Sequence, residues 1–177
     1  GVSDTEIILG HYFNKSMYPD DTATLNNDGI GVFSGAIALP QGMYIVYLPS
    51  GQYFQIMMGS DQHFSISTDT IDFVQHAEIT GSDDNIIFFE FQRYMILKQK
   101  EIEGLQHQIQ KSDNSKEKKR IEQKIKDLTD ERKDKVLEIK SSNPDLFVTT
   151  FLTATLDIEV PDPPVKSDGS IDSTWQY

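Results

Sequence analysis

The chain has 177 residues, 28 acidic against 16 basic side chains, a net charge of −12 and no cysteine. Without a thiol it cannot by itself form a disulfide, use a cysteine nucleophile or build a thiolate metal site. A hydrophobic content of 37% with 25% charged residues fits a globular sequence rather than a disordered one, and the acidic balance argues against general nucleic-acid binding.

The charge is unevenly distributed. Residues 1–84 hold one base and eleven acids, residues 85–140 fourteen bases and eleven acids, and residues 141–177 one base and six acids. The longest apolar runs, such as 43–48, fall far short of the roughly 20 residues that span a membrane. The start, Gly1-Val2-Ser3-Asp4, has neither a Met nor a signal-peptide pattern. Gly1 reads as a cloning remnant, with a native signal removed.

Residues 1–84 read as strands. Turn formers recur at Asn26-Asn27-Asp28-Gly29, Pro40-Gln41-Gly42, Pro49-Ser50-Gly51, Gly59-Ser60-Asp61, Ser67-Thr68-Asp69 and Gly81-Ser82-Asp83. Their spacing predicts strands over 6–13, 31–39, 43–48, 53–58, 63–67 and 72–80. Phe64 and Ile66 share one face of their run; Phe73, Ala77 and Ile79 share one face of theirs. Nothing suggests a crossover helix, so the expectation is an antiparallel β-sandwich.

Residues 85–140 read as a long antiparallel helical hairpin. Ser82 or Asp83 can cap a helix over 85–110, in which Phe88, Met95, Ile102 and Ile109 repeat every seven residues. Lys111-Ser112-Asp113-Asn114-Ser115 breaks the pattern. A second helix over 116–140 carries Ile121, Ile125, Leu128, Val136 and Ile139 on one stripe. Apolar residues are densest at the base, so the base is expected on the sandwich and the tip in water. Glu122 with Lys126 and Glu131 with Lys135 have the spacing of favourable helix-surface pairs.

Asn143-Pro144-Asp145 predicts the capped start of a short helix within 141–158, with Leu146, Phe147, Phe151, Leu152 and Leu156 as its buried face. Residues 159–177 read as a Pro-rich linker followed by the start of a truncated next element.

The chemistry is sparse. His11, His63, His76 and His107 lack metal-ligand spacing, and three fall in expected strands; structural or solvent-facing roles are favoured. Asp20-Asp21 and Asp83-Asp84 read as turn and cap residues rather than calcium ligands, and residues 167–172 depart from the EF-hand pattern. No phosphate-binding glycine loop or hydrolase nucleophile motif occurs. Lys116, Lys118, Lys119 and Arg120 form a basic cluster near the hairpin tip, a partner-binding candidate weighed against a solvated helix face. Tyr44, Tyr47, Tyr53 and Phe54 could line a sugar site or simply pack a core.

Gly31-Val32-Phe33-Ser34-Gly35, Leu39-Pro40-Gln41-Gly42-Met43-Tyr44, Gln62-His63-Phe64-Ser65-Ile66 and Gly81-Ser82-Asp83-Asp84-Asn85 leading into an aromatic helix carry a resemblance. This stretch resembles the N-terminal β domain of unknown function that precedes thioredoxin-like domains in envelope proteins of Gram-negative gut anaerobes. The resemblance implies an exported parent, often lipid-anchored upstream of this chain, in the periplasm or cell envelope. It ends in a thioredoxin-like thiol-disulfide oxidoreductase domain whose Cys-x-x-Cys is absent here, so no catalytic residue carries over.

The resulting expectation is an α+β chain: an antiparallel β-sandwich, then a long antiparallel helical hairpin and a short C-terminal helix. Its expected role is a non-catalytic accessory or interaction domain, with no cofactor, no metal and no nucleic-acid partner. Its partners would be the downstream thioredoxin-like domain and a second copy, paired through the seven-residue stripe. The alternative is an envelope ligand-binding module for a sugar or peptide, which an aromatic pocket would favour. A carboxylate hydrolase using Asp61 and Asp72 is a third, weaker reading.

Overall fold

The computed structural model describes residues 2–14 and 16–156. The linker and the aromatic end expected within 159–177 lie outside the described residues. The class is α+β. Strands β1 (Glu6–Phe13), β2 (Ser16–Thr24), β3 (Gly42–Tyr47) and β4 (Tyr53–Met58) form an antiparallel sheet in the order β2-β1-β3-β4. Strands β5 (Ser65–Ser67) and β6 (Glu78–Thr80) form a separate antiparallel pair. Helices α1 (Asp83–Lys111), α2 (Ser115–Ser142) and α3 (Phe147–Ala154) follow.

Several strand expectations are corrected. Residues 31–39 form no strand; Val32 and Ile37 are exposed, and only Phe33 and Leu39 reach the core. The missing strand is instead β2, whose sequence Ser-Met-Tyr-Pro-Asp-Asp-Thr-Ala-Thr is almost wholly exposed. An edge position tolerates Pro19, and the pairing shifts register between Leu9 and Gly10. The run 63–67 shortens to β5. The run 72–80 shortens to β6, because Asp72 Oδ1 accepts from the backbone N–H groups of Val74 and Gln75 and folds 72–75 into a turn. Only His11 of the four histidines therefore lies in a strand. The Pro49–Gly51 turn forms as its residues require, with Gly51 at φ +85°.

One core joins all three parts of the chain. Ile7, Leu9, Tyr44, Val46, Ile56 and Met57 of the sheet pack with Phe88, Phe89 and Phe91 of α1, Val136 and Ile139 of α2, and Val148 and Leu152 of α3. Phe89, fully buried, stabilises this layer by roughly 1.5–3 kcal/mol through apolar burial. Farther along the helices, Leu105, Ile121 and Leu128 form a second, small cluster with Ile102, Ile109 and Ile125. The seven-residue stripe is thus occupied within the chain, split between the two clusters.

Helices α1 and α2 run antiparallel, and each extends about 40 Å at 1.5 Å per residue. Lys98 pairs with Glu131 and Lys124 with Glu101 across them, so Glu131 reaches the other helix instead of Lys135, which pairs with Glu138 at 3.0 Å. Asn114 caps α2 by accepting from the N–H groups of Lys116 and Glu117. No described helix is long and apolar enough to cross a membrane.

The start of α3 also differs from expectation. Asn143 ends α2 as its C-cap, residues 144–146 form a turn, and Leu146 stands at the N-cap position without a side-chain bond. The missing cap comes from another helix: the buried Asp84 Oδ1 accepts from Val148 N–H at 2.7 Å. A carboxylate at a helix N-terminus satisfies an orphan donor and the helix dipole together.

Candidate functional site

Three places combine chemistry with position: the joint between sheet and helices, a cleft beside it, and the hairpin tip.

The joint begins at Gly81, whose φ of +84° turns the chain into α1. Ser82 Oγ caps the helix by accepting from Asn85 N–H. Asn85 is fully buried and points back at the outer edge of β4. Its Oδ1 accepts from Met57 N–H at 2.8 Å, and its Nδ2 donates to Met57 O at 2.8 Å and to Ser82 Oγ at 2.9 Å. The side-chain amide imitates a neighbouring strand at one residue of the edge. Beside it, Asp84 holds α3. An added Cβ at Gly59 would stand 1.9 Å from Asp84 Oδ2, so the chain passes the carboxylate as closely as a glycine allows. Ser82, Asp84 and Asn85 thus tie α1, α3 and the sheet with directed bonds where apolar packing alone would permit sliding.

The cleft lies between β4, residues 72–74 and α1. It is an open groove of about 290 Å³, lined by Tyr53, Phe54, Gln55, Asp72, Phe73, Val74, Phe89 and Gln92. Phe54 and Phe73 meet at 5.2 Å between centroids. Half-exposed Tyr53 stacks on Tyr47 at 6.4 Å. Arg93 pins the 72–77 segment to α1, its Nε donating to Val74 O at 2.8 Å and its Nη2 to Ala77 O. Outside the cleft, His76 Nδ1 and Asp69 Oδ2 lie 2.8 Å apart; this bond raises the pKa of the imidazole and lowers that of the carboxylate.

Of the four aromatics singled out in sequence, Tyr53 and Phe54 line the cleft. Tyr44 is buried elsewhere, its hydroxyl donates to Pro40 O at 3.1 Å, and burial, then Asp20, raises its pKa. Asp72, singled out in sequence as a hydrolase carboxylate, lines the cleft with Phe73, Phe89 and Gln92, which were read only as parts of a strand or helix. Arg93 was also missed. Its signal is an arginine one turn past Phe89, on the densely apolar base of a helix, where a cation needs buried acceptors.

The tip carries Lys116, Lys118, Lys119 and Arg120 in the first turns of α2. Lys118 is half-buried and the other three are exposed. They lie at the end of the hairpin opposite the base that packs on the sheet, remote from the cleft. Cations at a helix N-terminus face the positive end of the dipole, an arrangement that costs about 0.3–1 kcal/mol each at low salt.

The remaining candidates resolve into turns and pairs. His11 Nδ1 lies 2.7 Å from Asp20 Oδ2, and the ring stacks on Tyr18. Asp21 accepts from Thr22 and Ser34 N–H, and Asp61 accepts from His63 N–H. Among the described residues, no hydroxyl is hydrogen-bonded to His11 or His76, and no group of three or more His, Asp or Glu side chains is placed to hold a metal. Asp61 and Asp72 each serve as acceptors in their own turns, which gives the hydrolase reading no support. Comparison with family models, curated proteins and solved structures finds no match.

Proposed function

We propose that this chain is a non-catalytic interaction domain that holds a rigid helical arm at a fixed angle to a β platform. The observation that carries this reading is the joint: three buried polar residues, Ser82, Asp84 and Asn85, are committed to orienting α1 and α3 on the sheet. Buried polar networks of this kind specify one arrangement rather than add stability. The four-stranded sheet and the β5–β6 pair act as the sandwich-like platform, and the hairpin presents Lys116, Lys118, Lys119 and Arg120 about 40 Å along the helix axis from its base.

In this reading the arm positions a downstream thioredoxin-like thiol-disulfide oxidoreductase domain in an exported, envelope-located parent; the support is the resemblance of the glycine and turn motifs. The homodimer belongs to the same proposal. The seven-residue stripe expected to carry it packs within the chain, so the surface proposed for it is the exposed Tyr12 and Phe13 at the β1–β2 end.

Two measurements test the reading. The reading frame beyond Tyr177 should encode a Cys-x-x-Cys in a thioredoxin-like pattern, and a stop codon there removes the redox parent. The triple variant Lys116→Glu, Lys119→Glu, Arg120→Glu should fold normally yet lose calorimetric binding to that downstream domain. Unchanged binding would remove the tip from the account.

A further inference from the structure

The outer edge of β4 is closed at one residue and open at two. Asn85 bonds Met57 N–H and C=O, so these groups face away from β3. Gln52 O accepts from Leu48 N–H and so faces β3. Backbone direction alternates along a strand, which puts the N–H and C=O groups of Tyr53 and Gln55 on the same outer side as those of Met57. None of these four groups has a partner among the described residues. Buried backbone groups without a partner are rare, so these four meet solvent, and they meet it in the groove beside β4.

The two edges of the sheet differ. Strand β2 carries Pro19, Asp20 and Asp21, residues that discourage a further strand. Strand β4 reads Tyr-Phe-Gln-Ile-Met-Met, with neither Pro nor charge. Shape protects it instead: residues 72–74 form the facing wall, and Phe54 and Phe73 meet at the floor. A recess of about 290 Å³ between two walls admits one extended segment, whereas the edge of a second sheet brings further strands with it and does not fit. Asp72 is the one charged residue in the lining. It uses Oδ1 for its own turn, and Oδ2 has no partner among the described residues. With one base against eleven acids over residues 1–84, the surrounding field also favours a cation.

We propose that this groove takes an extended basic peptide segment of a partner protein, added to β4 as a short strand. The main chain of the segment exchanges hydrogen bonds with Tyr53 and Gln55, a lysine or arginine side chain meets Asp72 Oδ2, and Asn85 ends the pairing at Met57. The site lies on the platform, remote from the hairpin tip, and does not depend on the interaction-domain reading.

The test joins amide hydrogen exchange to a nuclear magnetic resonance titration of the full chain. In the free protein the Gln55 amide should exchange quickly and the Met57 amide slowly, although both lie in β4. The probes are a capped peptide, Thr-Val-Lys-Val-Thr, and the same peptide with Glu at its centre, each to about 5 mM, which saturates a site of submillimolar affinity. The lysine peptide should give saturable shifts at the Tyr53 and Gln55 amides and slow the exchange of Gln55. The glutamate peptide should bind about threefold more weakly, roughly what one exposed ion pair supplies. Asp72→Asn keeps the oxygen that its turn needs, so the fold should stand while the preference for lysine disappears. Gln55→Pro removes an outward N–H, a change that edge strands tolerate, and should weaken the lysine peptide about tenfold. A protected Gln55 amide in the free chain, no saturable shift, equal binding of the two peptides, or shifts that follow protein concentration alone, as a second copy would give, would overturn the proposal.

Discussion

Replacing Asn85 with Ala strips two buried backbone groups of their partners at once. Met57 N–H and Met57 C=O each lose a 2.8 Å bond, and both residues are fully buried, so water cannot replace the lost partner without opening the joint. Each unmet group costs about 1–3 kcal/mol, which sets the loss for Asn85→Ala at about 2–6 kcal/mol. That is a large part of the roughly 5–15 kcal/mol by which domains are stable. At about 2–4 °C per kcal/mol for a chain of this size, the melting temperature should fall by roughly 4–24 °C. Asn85→Asp keeps the acceptor for Met57 N–H, but it turns a donor into an oxygen facing Met57 O and adds a second carboxylate beside Asp84. It should therefore destabilise at least as much. Urea unfolding followed by far-ultraviolet circular dichroism, with calorimetry alongside, measures both. A loss below about 1 kcal/mol for Asn85→Ala, the ordinary cost of a point substitution, would refute the reasoning.

Gly59→Ala should destabilise by about 1–3 kcal/mol, since its Cβ would meet Asp84 Oδ2 at 1.9 Å and displace the α3 cap; urea midpoints measure this. Gly104→Ala should do the opposite: its Cβ meets nothing within 4 Å on an exposed helix surface, and the gain is about 0.5–1 kcal/mol. His76, its pKa raised by the hydrogen bond to Asp69, should titrate above 6.5 in a proton-resonance titration, and Asp69→Asn should return it to the ordinary range. Because the folded-state pKa of His76 is raised, its stabilising contribution is full below pH 6.5 and is lost as pH rises through the raised value. The lowered pKa of Asp69 works the other way: its contribution is present above pH 3.8 and is lost as pH falls through the lowered value. Phe13→Ser should leave the melting temperature nearly unchanged, because the ring is 71% exposed, and should shift sedimentation towards monomer where the parent dimerises through that end.

The helices were legible because their signals are local. The apolar stripe, the Ser82 cap and the turn formers at 112–114 place both long helices to within two residues of their observed ends. Tight turns behaved likewise, since Gly51 and Gly81 adopt the positive φ that their contexts require. Strand β2 was not legible. Its residues are nearly all exposed and include Pro19, and an edge strand needs only backbone pairing with β1. Residues 31–39 misled in the other direction: apolar content suggested a strand, but no neighbouring strand pairs with them. Asn143-Pro144-Asp145 has the composition of a helix cap, yet the cap that matters comes from Asp84, distant in sequence.

At the joint, the sequence held a sign that was read only in part. Asp84 and Asn85 precede Phe88 and Phe89 by the helical spacing that places all four on the face packed against the core. Polar residues at such positions must find buried partners, so they mark tertiary bonds rather than an exposed cap. The cleft had no comparable sign. Phe73, Phe89 and Gln92 meet only because the 72–77 turn docks on α1 through Arg93.

The lack of cysteine makes the proposed fixed angle between arm and platform directly measurable. Spin labels on Asp113→Cys at the hairpin tip and Ser50→Cys on the β3–β4 turn report one distance by double electron–electron resonance. A single narrow distribution is expected in the otherwise unaltered chain, and a broad one when Asn85→Ala is added under conditions where the protein remains folded. A broad distribution in the unaltered background, or a narrow one that survives the loss of Asn85, would contradict it.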